Sequence, residues 1–325
     1  MTFKVATTRD LMNAAGEPIF DPALFDLLKA NPGIEWEWLP EDVTEITPDI
    51  AARYDAIHIN LPRVTAASVG RDDCRVKIFA RNGVGFDTVD LEACKTKGIA
   101  VTNTPIAIRR PVAVAALTLI FALSGKLFKK DRIVRDGRWN DRVDHMGTGL
   151  TGRTLGMIGA GGIGQELIPL ARPFFKEIQV CDPYVEAEVF QRLDARKASF
   201  DEVLGAADFL LVACPLNDET RHMIDADAFR RMKPTACFVN VARGPIHDEA
   251  ALADALSSGE IAAAGLDVTE QEPISPDSPL LAMENTIITP HALCWTDECF
   301  DDIARTALQS ILDVSEGREP VHRVI

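Results

Sequence analysis

Three segments of this sequence place a side chain that could do chemistry after an apolar run. Arg243 follows Ala236–Val241, Glu272 lies in GLDVTEQEP, and His291 follows NTIITP. An arginine can hold a carboxylate through two hydrogen bonds, and a histidine can exchange a proton near neutral pH. A glutamate hydrogen-bonded to that histidine would orient its ring, and by spacing alone Glu270 and Glu272 are both candidates. The three residue types together predict proton transfer beside a bound carboxylate.

His291 is also close in sequence to Cys294 and Cys299, which allows other roles for it. It could be half of a Cys-His nucleophile pair, a metal ligand or a packed core residue. No glycine motif that could form an oxyanion hole surrounds the cysteine, and a zinc site needs three or four convergent ligands. We therefore predict that no metal is bound. Whether His291 carries a proton or packs in the core depends on the rest of the chain.

A glycine loop in the middle of the chain has the pattern of a dinucleotide site. Gly159, Gly161 and Gly164 form GxGxxG between an apolar strand and a helix, as that motif requires. Gly159 permits the tight turn, Gly161 lets the backbone approach a pyrophosphate, and Gly164 allows close packing of helix on strand. The next strand ends at Asp182, where an acid can bind a ribose 2′-hydroxyl and repel a 2′-phosphate. The loop therefore predicts NAD rather than NADP.

Short apolar strands alternate with amphipathic helices along the whole chain, which predicts an α/β fold with parallel sheets. Parallel strands bring the residues after their carboxyl ends to one edge of the sheet, where ligands bind. We therefore expect Arg243, Glu272 and His291 to lie at the same edge as the glycine loop.

The dinucleotide fold begins near the middle of the chain, so the strands FKVATT, YDAIHIN and VKIFARN near the start must belong to a separate domain. Between them, PALFDLLKA and LPRVTAASV are expected to be helix or turn connections. A helix is predicted to begin at Pro111, since proline is favoured at a first helical position. This helix is apolar on nearly all sides and should be buried, in the core or at a subunit contact.

The composition narrows the class of partner. The chain has 325 residues, 47% of them apolar, which suits two domains with full cores. A net charge of -15 argues against nucleic acid or an anionic membrane as partner. The start lacks a signal-peptide pattern, and the longest apolar stretch, Val112–Leu123, is too short to span a bilayer. Seven cysteines without a CxxC pair indicate reduced thiols, so we expect a cytoplasmic protein.

With these motifs in this order, the sequence resembles the D-isomer-specific 2-hydroxyacid dehydrogenase family. The matching stretches cover nearly the whole chain: ARNGVGFDTVDLEACKTKGIAVTNTP, GRTLGMIGAGGIGQEL, CPLNDETRHMI, FVNVARGPIHDEAAL, GLDVTEQEP and TPH. The resemblance implies two Rossmann-like parallel-sheet domains. A discontinuous substrate domain would comprise residues 1–105 and 296–325, and the inserted NAD domain residues 106–295. It also implies a homodimer with helices of the NAD domain in the interface.

The resemblance further assigns roles to individual residues. Arg243, Glu272 (and not Glu270) and His291 match the catalytic trio, and Asp267 matches the aspartate that meets the nicotinamide amide. The backbone of Val84 and Gly85 matches the loop that binds the substrate carboxylate, together with Arg243 and His291. The implied cofactor-binding set comprises Gly159, Gly161, Gly162, Ile163, Gly164, Asp182, Cys214, Pro215, Ala242 and Asp267.

The chain departs from the family pattern at several positions, some of them in loops near the substrate. Ile106 replaces a glycine, Val114 stands where glutamate is frequent, and Gly162 stands where arginine is frequent. Arg109 and Arg110 could bind a second anionic group of the substrate or could face solvent. Trp295 could line the substrate pocket or pack at a dimer contact.

These observations predict an NAD-dependent reductase of a small 2-keto acid such as glyoxylate, hydroxypyruvate or 3-phosphohydroxypyruvate. Family members that act on formate have glutamine where this chain has Glu272, which argues against a formate enzyme. The alternative is a catalytically silent NAD(H)-binding regulatory protein of the same fold, which would bind NADH without turnover. The intact trio argues against it.

Overall fold

The computed structural model describes residues 2–325, which form two parallel β-sheets with flanking helices. The strands are β1 (Phe3–Thr7), β2 (Ile34–Trp38), β3 (Ala56–Ile59), β4 (Ile78–Arg81), β5 (Ala100–Thr102), β6 (Thr154–Ile158), β7 (Glu177–Cys181), β8 (Arg196–Lys197), β9 (Phe209–Val212), β10 (Cys237–Asn240), β11 (Ala263–Leu266) and β12 (Thr286–Ile288). The first three predicted strands correspond to β1, β3 and β4, whereas β2 has no counterpart among them.

Helices connect most of these strands. The α-helices are α1 (Asp26–Lys29), α2 (Pro48–Ala51), α3 (Ala66–Val69), α4 (Leu91–Thr96), α5 (Arg109–Gly125), α6 (Leu127–Arg135), α7 (Gly162–Ala171), α8 (Ala187–Arg192), α9 (Phe200–Ala206), α10 (Ala226–Arg231), α11 (Glu249–Ser258) and α12 (Asp297–Ser315). Single 3-10 turns occur at Arg9–Leu11, Pro22–Phe25, Trp139–Asp144, Gly244–Ile246 and Pro279–Ala282.

The chain divides into two compact units. The terminal unit comprises the chain up to Ile108 together with Trp295–Ile325, and the central unit comprises Arg109–Cys294. These boundaries differ by a few residues from the predicted hinges at 105/106 and 295/296. Residues 106–108 stay with the terminal unit because α5 begins only at Arg109. Trp295 also belongs there, where its ring packs edge-on against Phe300 at 4.9 Å between centroids.

The terminal unit contains a five-stranded sheet in the order β2-β1-β3-β4-β5, with every neighbouring pair parallel. Successive side chains of a strand point to opposite faces, and each face has its own core. Val5, Ala56 and Ile78 pack with residues of α12 on one face, whereas Ala6 and Ile57 pack on the other face. The terminal unit is therefore a three-layer α/β sandwich.

The central unit contains a seven-stranded parallel sheet in the order β12-β11-β10-β9-β6-β7-β8. Read from β8, the strands run third, second, first, then fourth onward, which is the order of the dinucleotide-binding Rossmann fold. The strand order therefore reverses between β6 and β9, which is where such folds bind their ligand. The predicted fold class, α/β with two Rossmann-like parallel-sheet domains, is confirmed.

The apolar helix α5 begins at Arg109, two residues before the predicted start at Pro111. Proline is accepted throughout a first turn, because the N–H groups there have no partner within the helix. Most of α5 is buried, but Val114 and Phe121 remain exposed. None of the helices within residues 2–325 could cross a membrane alone; α5 and α6 meet the length and composition criteria only jointly, with a bend of 56° between them.

Candidate active site

The candidate site of the central unit lies on the loops that follow β10, β11 and β12. Arg243 comes three residues after the end of β10, Asp267 directly follows β11, and His291 comes three residues after the end of β12. Because β10, β11 and β12 are adjacent parallel strands, their loops share one edge of the sheet. The sheet therefore brings the predicted residues of the central unit to a common edge.

His291 and Glu272 form a hydrogen-bonded pair. His291 Nδ1 lies 2.8 Å from Glu272 Oε2, and both side chains are 42% exposed. A carboxylate can only accept here, so Nδ1 carries the proton and Nε2 is left for a reacting group. The neutral ring thus presents a base at Nε2, and the charged ring presents an acid at the same atom.

Glu272 is held in its charged form by several groups. Burial raises the pKa of Glu272, but the hydrogen bond and charge of His291, the backbone N–H of Thr269 and the charge of Arg243 outweigh it. The pKa of this carboxyl consequently lies below its ordinary value. The Thr269 N–H donates to Oε1 at 3.2 Å, so each carboxylate oxygen has a defined donor.

Glu270, the other acid of this loop, is engaged elsewhere. Its Oε1 lies 2.7 Å from Nε2 of His222, and its Oε2 accepts from the backbone N–H of Glu249 at 3.2 Å. Glu249 is the first residue of α11, so Glu270 supports a helix start. The structure therefore joins Glu272, and not Glu270, to His291.

Asn240 shapes the turn that carries Arg243, a role that was not predicted from the sequence. Its Oδ1 accepts from the Ala242 N–H at 2.9 Å, and its Nδ2 donates to the Arg243 carbonyl at 2.9 Å and to His247 Nδ1 at 3.0 Å. Asn240 and His247 are fully buried, and burial lowers the pKa of His247 to about 4, so its ring is neutral. The one available signal was an asparagine at the end of an apolar strand, where that residue is uncommon.

Asp267 holds the loop that carries His291. Its carboxylate is buried and accepts from Thr289 Oγ1 at 2.6 Å and from the backbone N–H groups of Ala292 and Leu293 at 3.1 Å each. His291 itself has a φ of 55°, a left-handed conformation that non-glycine residues rarely adopt. The hydrogen bonds on both sides of His291 explain how this backbone is maintained.

The glycine loop between β6 and α7 has the shape that the motif predicts. Gly159 has a φ of 87°, and a Cβ built there would lie 2.7 Å from backbone atoms of Cys214, so only glycine fits. A Cβ at Gly161 would meet nothing within 4 Å, which leaves the backbone open to a ligand. A Cβ at Gly164 would lie 3.1 Å from Ala160, as expected for close helix–strand packing. The loop therefore fits a dinucleotide pyrophosphate at the start of α7.

Asp182 is tied to this loop. It is buried, its Oδ2 accepts from the Ala160 N–H at 2.8 Å, and its Oδ1 accepts from the N–H groups of Tyr184 and Val185 at 2.9 Å and 3.2 Å. Each carboxylate oxygen can accept more than one hydrogen bond. The carboxylate is thus fixed beside the glycine loop and retains capacity for ribose hydroxyls.

The remaining predicted residues are distributed over both units. In the central unit, Gly162 and Ile163 begin α7, Cys214 and Pro215 follow β9, and Ala242 donates its N–H to Asn240. In the terminal unit, Val84 and Gly85 lie on the loop after β4, where the Val84 carbonyl accepts from Asn103 Nδ2 at 2.9 Å. Residues 2–325 contain no group of three or more His, Cys, Asp or Glu side chains able to hold a metal ion.

Comparisons with known proteins place this site in a family. Residues 117–292 match the family described as D-isomer specific 2-hydroxyacid dehydrogenase, NAD binding domain. A glyoxylate reductase of Korarchaeum cryptofilum is 36% identical over 253 residues, which cover 77% of this chain and 76% of that protein. A D-3-phosphoglycerate dehydrogenase of Archaeoglobus fulgidus is 34% identical over 301 residues, which cover 93% of this chain but 56% of that longer protein.

The fold comparison agrees with the sequence comparison. The crystal structure of a glyoxylate reductase from Paecilomyes thermophila matches with a TM-score of 0.86 and 28% identity, covering 99% of this chain and 98% of that one. The chain belongs to the D-isomer-specific 2-hydroxyacid dehydrogenase family. It is an NAD-dependent oxidoreductase, and the open glycine loop with Asp182 beside it fits that cofactor.

Proposed function

We propose that this chain reduces a small 2-keto acid with NADH, with glyoxylate and hydroxypyruvate as leading substrates and 3-phosphohydroxypyruvate as a third candidate. The observation that carries the proposal is the His291–Glu272 pair at 2.8 Å, with the charge of Arg243 acting on the same carboxylate. Reduction of a keto acid needs an anion clamp and a proton donor, and this edge of the sheet supplies both.

The proposed chemistry divides the work among the three residues. The cofactor supplies the hydride that reaches C2 of the keto acid. Arg243 holds the carboxylate and stabilises the negative charge that develops on the carbonyl oxygen. His291, protonated at both nitrogens, gives the Nε2 proton to that oxygen while Nδ1–H stays with Glu272. In the reverse direction, neutral His291 takes the hydroxyl proton as hydride leaves C2.

The surroundings of Arg109 and Arg110 favour substrates without a second anionic group. Arg110 forms an ion pair with Glu166 of α7, and the side chain of Arg109 lies against Gly162 of the same helix. Both cations therefore lie beside the cofactor loop. This supports glyoxylate and hydroxypyruvate over the phosphorylated keto acid, and the relative named glyoxylate reductase supports the same order.

The test is a panel of the three keto acids with NADH and with NADPH, followed by nicotinamide absorbance. We expect turnover with NADH, fastest with glyoxylate or hydroxypyruvate. His291→Ala should lose most of kcat, whereas His222→Ala, which removes the partly exposed partner of Glu270, should not. Tight NADH binding without turnover of any keto acid would instead identify a silent regulatory protein. Faster turnover with NADPH would remove the role given to Asp182.

We also propose that the central unit mediates a homodimer. Many exposed apolar side chains occur on α5, α6 and the turns that follow them: Val114, Phe121, Leu127, Phe128, Val134, Trp139, Val143 and Met146. An apolar surface of this kind typically marks a protein contact. Light scattering should give a dimer that Phe128→Glu dissociates, whereas Leu281→Glu, at an exposed apolar side chain of the Pro279–Ala282 turn, leaves it intact. A monomeric wild type would contradict this assignment.

The proposed compartment is the cytoplasm. No disulfide joins the seven cysteines within residues 2–325, as expected in a reducing compartment. Cell fractionation that places the protein in an oxidising compartment would contradict this.

A further inference from the structure

The side chain of Arg109 occupies the space above the first residue of α7. A Cβ built on Gly162 would lie 2.5 Å from Nε of Arg109, 2.9 Å from Cζ and 3.2 Å from Cδ. Arg109 is the first residue of α5 and Gly162 is the first residue of α7. Because Gly162 has no side chain, the guanidinium of Arg109 can occupy this space.

We propose that Arg109 is a cofactor-binding residue whose guanidinium holds the NAD pyrophosphate. The open backbone of Gly161 and the start of α7 define where that pyrophosphate lies. A guanidinium beside them can form two parallel hydrogen bonds to phosphate oxygens. The chain carries a net charge of -15, so a dianionic linkage gains from a local cation.

Gly162 has no side chain, so the first residue of α7 contributes no cation to a bound pyrophosphate. Arg109 brings a cation to the same place from α5. A side chain at position 162 and the observed position of Arg109 exclude each other, since their atoms would lie within 2.5 Å. The two positions therefore act as alternatives for one charge.

Arg110 provides a matched control on the same helix. It is exposed and directs its guanidinium to the carboxylate of Glu166. The Glu166 carboxylate, on α7 about one turn after Gly162, therefore neutralises the charge of Arg110. Removing Arg110 eliminates one positive charge from the start of α5 but leaves the group over Gly162 in place.

The first experiment measures NADH affinity by fluorescence titration, which is independent of any keto acid. Arg109→Ala should weaken NADH binding by ~10- to 100-fold, as expected for loss of charge-assisted hydrogen bonds, whereas Arg110→Ala should change it less than about two-fold. Adenosine, which lacks phosphates, should bind both variants as it binds the wild type. The salt dependence of NADH binding should become shallower in Arg109→Ala alone.

The second experiment is a double-mutant cycle with position 162. Gly162→Ala should weaken NADH binding in the wild type, because its Cβ displaces the guanidinium, but should have no further effect in Arg109→Ala. The combined variant Arg109→Ala/Gly162→Arg should recover most of the lost affinity. This rescue tests the charge itself, and Gly162→Ala keeps the test available if Arg109→Ala folds poorly.

Two outcomes would overturn the proposal. One is NADH affinity in Arg109→Ala that equals that of Arg110→Ala. The other is an equal loss of NADH and adenosine binding, which would mean that Arg109 only supports the fold. Neither depends on substrate identity, so failure here is distinguishable from failure of the proposed keto acid reduction.

Discussion

Replacing Gly244 by alanine tests how far the chemistry depends on the close approach of two loops. A Cβ built on Gly244 lies 1.8 Å from the carbonyl oxygen of Thr269, 2.0 Å from its carbon and 2.5 Å from the nitrogen of Glu270. These are backbone atoms, and unstrained contacts begin near ~3.5 Å. The 269–270 peptide must therefore retreat by more than about 1 Å.

The retreat moves the segment that carries Glu272. Glu272 Oε1 accepts a hydrogen bond from the Thr269 N–H. The charge of Arg243, the residue before Gly244, also stabilises the Glu272 carboxylate. A misplacement of ~1 Å in a catalytic arrangement costs on the order of 100-fold in rate, which corresponds to ~2.7 kcal/mol. Overpacking should also lower the free energy of unfolding by about 1–3 kcal/mol.

The assay combines kcat/KM for the best keto acid with NADH affinity and urea unfolding. We expect Gly244→Ala to lose at least ~100-fold in kcat/KM while NADH binding changes much less, because the glycine loop is elsewhere on the sheet edge. Gly205→Ala is the control, since a Cβ there meets nothing within 4 Å. A folded Gly244→Ala variant with kcat/KM near the wild-type value would refute the reasoning.

Three further predictions concern the carboxylates of the site. Glu272→Gln should lower kcat by ~10- to 100-fold, since the amide cannot stabilise a charged His291, while Glu270→Gln should retain kcat within about two-fold; equal losses would remove the distinction between the two acids. Because the pKa of Glu272 is held below its ordinary value, its charge stabilises the folded state above the unfolded pKa and ceases to do so as pH falls through the folded pKa. The loss of stability caused by Glu272→Gln in urea unfolding should therefore be present at pH ~7 and should shrink as pH falls below the ordinary glutamate pKa of ~4.3. A loss that grows on acidification would contradict this. Asp267→Asn places an amide against three hydrogen-bond donors, so kcat should fall ~10-fold or more and proteolysis of the 289–293 loop should become faster. Unchanged kcat and an unchanged proteolysis rate would show that Asp267 does not hold that loop.

Much of the candidate site could be predicted from the sequence because its residues lie close to strand ends. Arg243, Asp267 and His291 each lie within three residues of a strand's last residue, so a parallel sheet places them together whatever the side-chain details. The glycine spacing around Gly159 was equally informative, since its φ of 87° and its contact with Cys214 admit no side chain.

What could not be predicted depends on contacts between segments distant in the chain. Sequence spacing does not distinguish Glu270 from Glu272 as the partner of the histidine. The structure does, because Glu270 pairs with His222 and Glu272 pairs with His291. The place of Arg109 likewise depends on the packing of α5 against α7, which brings it beside Gly162, more than fifty residues later in the sequence. The observed boundaries between the units differ from the predicted hinges because they coincide with the start of α5 and with the contact of Trp295 and Phe300, and no sequence motif marks either point.

The discontinuous terminal unit has a consequence for the order of events during synthesis. The face of its sheet that includes Val5 and Ile78 is covered by Phe300 and Leu308 of α12. A ribosome therefore delivers the whole central unit before the helix that completes the earlier core. Until then, the nascent strands β1–β5 present an uncovered apolar face, which makes this stage the most aggregation-prone interval and the one where chaperone contact would matter most.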